Sequence, residues 1–248
     1  MVRDSGRVIS ALTAYDFPTA KFCDESGVDL VLVGDSLGMV VAGLPDTTGV
    51  TLDQMIYHTQ MVRRGIERAL LVSDLPYKTY ETAEDAVKNG QRLIDAGADA
   101  AKLEGGLGQV HKVEAMTKAG IPVVAHIGML PQRVVEEGGY KKKGKSDSEA
   151  DILVQAAQDL ESAGAGAIVL ESIVPSVATR ITESVSIPTI GIGAGTKCDG
   201  QIRVIHDLVG GYPWFVPPFA NPHADIAAEY RRSIALFCEE IQPQSANK

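Results

Sequence analysis

Short apolar runs separated by polar, helix-forming stretches recur along this chain at intervals of roughly 30 residues. The plainest is Leu30-Val31-Leu32-Val33, which has no polar alternation and so reads as a strand buried on both faces. It stops at Gly34 and hands over to Asp35 and Ser36. Residues 69–73, 100–103 and 167–170 repeat the pattern and run into Asp74, Glu104 and Glu171. Residues 122–125 and 188–191 lead to His126 and to the Gly193-Ala194-Gly195 turn, the second within a strand expected over 187–195. A first strand is expected over 7–14 and a last over 201–207, which makes eight candidates.

Helical patterns fill the intervals. Phe17-Pro18 opens a helix that Gly27 stops. Thr51 caps a longer one in which Met55, Ile56, Thr59 and Val62 recur at helical spacing. Thr82-Ala83-Glu84-Asp85 resembles a capping box, with Asp where Glu or Gln is commoner. Further helices are expected over 109–118, 151–163 and 175–185, and a terminal one places Ile226, Tyr230, Ile234, Phe237 and Ile241 on one face. Residues 138–149 are polar and lysine-rich, and read as a solvated loop or as a lid over an anionic ligand.

Strands alternating with helices in this number point to a single (β/α)8 TIM barrel over residues 1–248, with a short lead-in at 1–6 and a frayed tail at 242–248. Gly27-Val28-Asp29, Gly97-Ala98-Asp99 and Gly164-Ala165-Gly166 each precede a strand that ends in an acid, an internal likeness that supports the repeat. A doubly wound open sheet would show a phosphate fingerprint after an early strand, and none stands near Gly34.

Composition narrows the function classes. The 248 residues are 45% hydrophobic and 22% charged, ordinary for a protein with a large core. A formal charge of −9 argues against general affinity for nucleic acid or an anionic membrane. Cys23, Cys198 and Cys238 are scattered and lack metal-ligand spacing, as expected of a reducing compartment. No apolar run reaches the roughly 18–20 residues of a membrane span, and the first residues lack the apolar core of a signal peptide, so a cytoplasmic location is expected.

A barrel gathers the carboxyl ends of its strands on one face. Asp35, Asp74 and Glu104, on consecutive strands, can then surround one point. Each alone could be a cap, and together they could form an ion-pair network. Crowded carboxylates repel unless a cation or proton sits among them, and oxygen-only ligands favour a hard ion, Mg2+ first. Lys102, two residues before Glu104, points to the same side and needs a negative partner, either a cluster acid or a substrate carboxylate. Glu171 lies across the mouth, placed as a general base for a proton next to a metal-polarised carbonyl. His126 reads as a donor to a substrate oxygen or as a satisfied core residue. The Gly191-Ile192-Gly193-Ala194-Gly195 turn could admit close approach of a ligand.

These residues sit in strings that resemble the ketopantoate hydroxymethyltransferase family: Val33-Gly34-Asp35-Ser36-Leu37-Gly38-Met39, Asp74-Leu75-Pro76, Lys102-Leu103-Glu104-Gly105-Gly106, Ala125-His126-Ile127-Gly128, Pro131-Gln132 and the Gly191–Gly195 turn. Leu12-Thr13-Ala14-Tyr15-Asp16 and Tyr57-His58-Thr59 fit as well, so the likeness runs from residue 9 to residue 207. The resemblance implies a TIM barrel, typically a decamer, that transfers a hydroxymethyl group from 5,10-methylenetetrahydrofolate to 3-methyl-2-oxobutanoate. The product is 2-dehydropantoate, in pantothenate biosynthesis, and the route is a Mg2+-stabilised enolate. It implies that Asp35, Asp74 and Glu104 hold Mg2+. It also implies that Ser36 and Lys102 bind the keto acid beside Asp35 and Asp74, that Glu171 accepts the proton and that His126 lines the pocket.

Two segments depart from the family pattern: the helix that usually precedes the first strand is nearly absent, and Pro217-Pro218-Phe219 stands where a Pro-Lys-Phe core is typical. A carbon–carbon lyase or mutase of the phosphoenolpyruvate mutase type would carry a catalytic cysteine in a Lys-Lys-Cys-Gly-His loop. Lys141-Lys142-Lys143-Gly144-Lys145 has none. A catalytically silent paralogue that binds keto acid or partner proteins is the rival of another class.

Overall fold

Eight strands pair in parallel, each with the next, and β1 pairs with β8 to close a barrel. The computed structural model describes residues 6–242, so most of the expected lead-in and tail lies outside the described residues. In chain order the first unit runs β1 (Ile9–Thr13), α1 (Phe17–Glu25), β2 (Leu30–Val33), α2 (Leu37–Val40), α3 (Leu52–Arg63), β3 (Leu70–Asp74), α4 (Ala83–Asp95) and β4 (Ala100–Glu104). It continues with α5 (Val110–Lys118), β5 (Val123–Gly128), α6 (Asp147–Ser162), β6 (Ala167–Glu171), α7 (Pro175–Ser184), β7 (Thr189–Ile192) and β8 (Gly200–Arg203). This is the TIM barrel expected from the strand–helix repeat.

Local chemistry sets the helix ends where the pattern placed them. Asp16 accepts from Thr19 N–H ahead of Pro18, and Ser26 closes α1 just before Gly27. Thr51 and Gln54 form a reciprocal capping box. Thr82 accepts from Asp85 N–H, so the cap of α4 is made although the Asp is short for the return bond. Inside the barrel, Ala11, Leu30, Leu32, Val72, Ala100, Val124, Val169, Ile190 and Ile202 pack into one buried cluster. Each strand contributes to this layer, which is how a (β/α)8 barrel fills its interior.

Three expected boundaries move. The last strand ends at Arg203 instead of Asp207, because its ladder with β1 runs only from Ile9↔Gly200 to Leu12↔Arg203. Residues expected to continue it form α8 (Ile205–Val209) in the second unit. The strand expected over 187–195 shortens to β7, since Gly193 takes a φ of 62° and turns the chain. Helix α6 starts at Asp147, earlier than the expected 151, because Ser146 accepts from Glu149 N–H and caps it.

The chain divides into two compact units, Met1–Arg203 and Val204–Lys248. The second holds α8, stopped by Gly210 in the left-handed region at a φ of 64°, and α9 (Ile226–Glu240). In α9 only Ala227 is buried, so the apolar face predicted for the terminal helix is formed but stays exposed. Among the described residues no helix is long and apolar enough to cross a membrane.

Candidate active site

Strand alternation decides which side chains share the barrel interior. Two residues beyond Val72, Ala100, Val124 and Val169 of the core layer come Asp74, Lys102, His126 and Glu171, so the period of two turns all of these inward, one layer nearer the C-terminal mouth. Glu104 is the next inward position above Lys102. Asp35 stands two residues past the end of β2, at the turn into α2.

The three acids and the lysine form one buried group. Asp35, Asp74, Lys102 and Glu104 are 4%, 2%, 4% and 3% exposed. Asp35 N–H donates to Asp74 Oδ2 at 3.1 Å. Lys102 Nζ donates to Asp74 Oδ1 at 2.6 Å and lies 3.8 Å from Glu104 Oε1. Lys102 therefore points as the spacing predicted and finds cluster acids as partners. Burial, then the charges of Asp74 and Glu104, push the Asp35 carboxyl well above the usual range, against the pull of Lys102 and Gln132. Burial also raises Asp74, although the Lys102 ammonium opposes it. Burial would raise Glu104 too, but His126, Lys102 and the Gln132 backbone amide outweigh it and hold this carboxyl low. Burial disfavours the Lys102 ammonium, and the surrounding acids more than offset that, so it stays charged.

His126 and Glu171 extend the group across the barrel. The imidazole is 1% exposed, with Nδ1 3.4 Å from Glu104 Oε1 and Nε2 3.4 Å from Glu171 Oε2. Both ring nitrogens are buried without a well-formed hydrogen bond, an uncommon condition in a settled core. Burial pushes the Glu171 carboxyl up to about 7, with His126 pulling it down and Glu104 adding to the rise. The residue after it, Ser172, is held at a φ of 49°, a strained conformation for a non-glycine residue. Ser36 bonds the Tyr15 hydroxyl at 2.8 Å, and Tyr15 is itself tied to helix α3 by His58 Nδ1 donating to its carbonyl at 2.7 Å.

Gln132 is the residue whose role the sequence did not show. Its side-chain amide donates to Asp35 Oδ2 at 2.8 Å and to the Leu75 carbonyl at 2.9 Å, and its N–H donates to Glu104 Oε2 at 3.1 Å. Tyr80 completes it by donating to Gln132 Oε1 at 2.5 Å. One residue thus fixes two acids, Asp35 through its side-chain amide and Glu104 through its backbone N–H. The only signal was its place in the Pro131-Gln132 string after β5, since a neutral amide carries no charge pattern to notice.

Other expectations come out differently. A side chain at Gly191 would put its Cβ 2.9 Å from Cys198 Sγ, and one at Gly195 would put it 2.9 Å from Pro175 Cβ, so packing against protein requires these glycines. The lysine-rich segment is anchored: Lys143 bridges Ile173 in parallel and its Nζ pairs with Glu137 Oε2 at 2.5 Å. Tyr140 reaches across to Met39, its hydroxyl 3.7 Å from the sulfur. Burial, then the charge of Glu171, raises its phenol, which places this ring at the mouth.

Among the described residues no group of three or more His, Cys, Asp or Glu side chains is gathered to hold a metal ion. Lys102 and Gln132 take up the carboxylate oxygens instead. The chemistry of the donor set nevertheless fits a hard divalent cation. It offers carboxylate oxygens only; burial is the larger cause of the rise at Asp35, and the charges of Asp74 and Glu104 that add to it are what such a cation relieves.

The ketopantoate hydroxymethyltransferase sequence profile matches residues 1–246. The chain belongs to this family. A 3-methyl-2-oxobutanoate hydroxymethyltransferase of Pyrobaculum islandicum is 52% identical over 232 residues, 93% of this chain and 88% of that protein. One of Clostridium botulinum is 47% identical over 241 residues, 96% of this chain and 88% of its own length. Membership of the ketopantoate hydroxymethyltransferase family makes this chain an enzyme, a transferase. Among solved structures, a phosphonopyruvate hydrolase superposes with a TM-score of 0.67 at 16% identity, covering 99% of this chain and 87% of that one. A 2,3-dimethylmalate lyase does so at 0.66 and 17%, covering 99% and 88%. Likeness at that identity speaks for the shared barrel alone.

Proposed function

We propose that this chain transfers a hydroxymethyl group from 5,10-methylenetetrahydrofolate to 3-methyl-2-oxobutanoate and forms 2-dehydropantoate for pantothenate biosynthesis. The observation that carries the reading is Glu171, a carboxyl raised to about 7 that faces the Asp35, Asp74 and Glu104 group across His126. Asp35, Asp74 and Glu104 would hold Mg2+, which when bound would draw electron density from the 2-oxo group of the keto acid. Lys102 and Ser36 bind the substrate carboxylate, Lys102 by charge and Ser36 by its hydroxyl, oriented by Tyr15. Glu171 takes the proton from C3, and burial makes it basic enough to do so near neutrality. His126 donates to a substrate oxygen from between the two glutamates. The deprotonated C3 then attacks the methylene carbon of the donor, and water supplies the hydroxyl oxygen as the bonds from that carbon to the folate nitrogens break and tetrahydrofolate leaves.

The test is direct. Purified protein with Mg2+, 3-methyl-2-oxobutanoate and methylenetetrahydrofolate is expected to form 2-dehydropantoate, and to exchange the C3 hydrogen with deuterated water when the donor is left out. Neither product nor exchange would make the chain a silent keto-acid binder. Asp74→Asn and Gln132→Leu separate the cation's holders from their support. Asp74→Asn weakens divalent-ion affinity by removing a charge. Gln132→Leu weakens it about 10- to 100-fold, the usual effect of losing a group that orients a ligand. Isothermal titration with Mg2+ reads both, and unchanged affinity in Asp74→Asn would remove it from the metal set.

The enzyme works in the cytoplasm as a homo-oligomer. Its three cysteines are all unpaired, in keeping with a reducing compartment. Tyr230, Ile234 and Phe237 on α9 and Ile241 at its C-cap are 65%, 62%, 60% and 62% exposed, an apolar patch of the kind that copies of a chain cover. Ile234→Asp is expected to lower the mass seen by light scattering, and an unchanged mass would free α9 of that role.

A further inference from the structure

A cavity of about 190 Å3 opens among the loops that follow β3, β4 and β5, bordered by Glu104 and Gln132. That is room for one amino-acid-sized group, small beside the roughly 300–1,000 Å3 of pockets that enclose a whole drug-sized ligand. Its lining combines the Tyr77 and Tyr80 rings with three cations, Lys78, Lys112 and Arg133, and three carboxylates, Glu81, Glu104 and Glu136. Lys112 is only 8% exposed, and its ammonium sits 5.5 Å from the centroid of the Tyr80 ring. Arg133 lines the same cavity, and among the described residues neither cation has a carboxylate within 4.0 Å. Lys78 stands over the Tyr77 ring at 5.2 Å, on backbone held at a φ of 62°. Gln109 is 7% exposed, and its Oε1 is buried without a hydrogen-bond partner. Of the acids, Glu104 has the Lys102 ammonium 3.8 Å away to balance it, whereas Glu136 accepts from the Tyr77 hydroxyl and keeps its charge at the edge. Glu81 is exposed on the rim.

A nearly buried lysine with no carboxylate within 4.0 Å of its ammonium is costly to keep charged. Burial, then the nearby Arg133, lowers the Lys112 pKa, with Glu81 and Asp85 opposing, so the site as it stands disfavours the charge it carries. An unpaired amide oxygen beside it asks for a donor. We infer that this cavity binds a carboxylate- or phosphate-bearing group, with Lys112 and Arg133 supplying the charge, Gln109 a hydrogen bond, and the Tyr77 and Tyr80 rings a flat wall. Two sources share this chemistry. One is the benzoylglutamate tail of the one-carbon donor, which offers carboxylates, an amide N–H for Gln109 and an aryl ring, and this source rests on the reaction proposed above. The other is a free phosphate ion. An occupant would also touch the acid group indirectly, because Tyr80 hydrogen-bonds Gln132, which holds Asp35.

The experiment titrates the purified full chain, without metal, with 4-aminobenzoylglutamate and separately with inorganic phosphate, by calorimetry. It is repeated for Lys112→Met, which keeps the buried stem's bulk, and for Arg133→Ala, an exposed position whose loss leaves the core intact. At least one probe is expected to bind at millimolar concentration or below, and each variant to weaken it roughly tenfold or more, as loss of a charge-assisted hydrogen bond does. Asp74→Asn is expected to leave this binding unchanged. Binding of 4-aminobenzoylglutamate, with a similar rise in the KM for methylenetetrahydrofolate and an unchanged KM for the keto acid, identifies the donor's tail. Binding of phosphate alone identifies a free ion. If neither probe binds, or if both variants bind as tightly as the parent, the site is refuted. A chain that binds a probe in this way but makes no 2-dehydropantoate keeps the site and loses the reaction.

Discussion

Replacing Glu171 with glutamine is expected to stop exchange of the C3 hydrogen of 3-methyl-2-oxobutanoate with deuterated water and to slow hydroxymethyl transfer by about 100- to 10,000-fold, the range that a positioned base contributes. Glutamine keeps the shape but cannot accept the proton. Keto acid binding should persist, because Lys102, Ser36 and the other acids stay in place. The pH dependence sharpens the test. A carboxyl whose pKa is raised to about 7 is still mostly protonated at pH 6, so the acting carboxylate forms only as pH rises through that value. Exchange by the parent protein should therefore climb from pH 6 to pH 8, and the variant should show no such climb. Measuring exchange by proton NMR across that range, with keto acid affinity measured alongside, decides the matter. Equal loss of affinity and exchange would move Glu171 among the ligands.

The barrel and its acids were legible in the sequence because both follow from short-range rules. Leu30–Val33 and its counterparts are too apolar to be anything but strands buried on both faces, and a period of two carries Val72 to Asp74 and Val124 to His126 on one side. What escaped has physical reasons. Gln132 lies 97 residues from Asp35 along the chain, and only closure of the barrel makes them neighbours. Residues 201–207 look like one strand, but the ladder of β8 with β1 ends at Leu12↔Arg203, which no local pattern records. The early start of α6 was readable, since Ser146-Asp147-Ser148-Glu149 has the spacing of a capping box. The lysines around it drew attention to charge instead. The exposed apolar face of α9 shows the limit from the other side, because periodicity tells which residues share a face but not what covers it.

Lys102→Met is expected to be the most destabilising substitution at the site. It leaves Asp74 and Glu104 buried without their cation, and removing one partner of a buried pair costs about 3–5 kcal/mol. For a chain of this size that corresponds to a fall of roughly 6–20 °C in Tm. Two effects compete in that number: the charge left unpaired, and the lysine stem no longer packed as before. Methionine fills much of the stem's volume, so charge should dominate, and pH tells the two apart. Lys102 is held above the ordinary lysine range, so in the parent protein its pairing is fully present at both pH 5 and pH 8 and adds no slope between them. In the variant the abandoned acids have folded-state pKa values pushed up from already raised or opposed positions. The native state then holds more protons than the unfolded chain, so the variant's stability falls as pH rises. The deficit against the parent, from urea unfolding, should thus be small at pH 5 and large at pH 8. Adding Asp74→Asn to Lys102→Met should recover part of it, a coupling of about 0.5–3 kcal/mol for groups in contact. A deficit of the same size at both pH values, with no recovery in the double variant, would assign the loss to packing and take Lys102 out of the charge balance that holds the acids together.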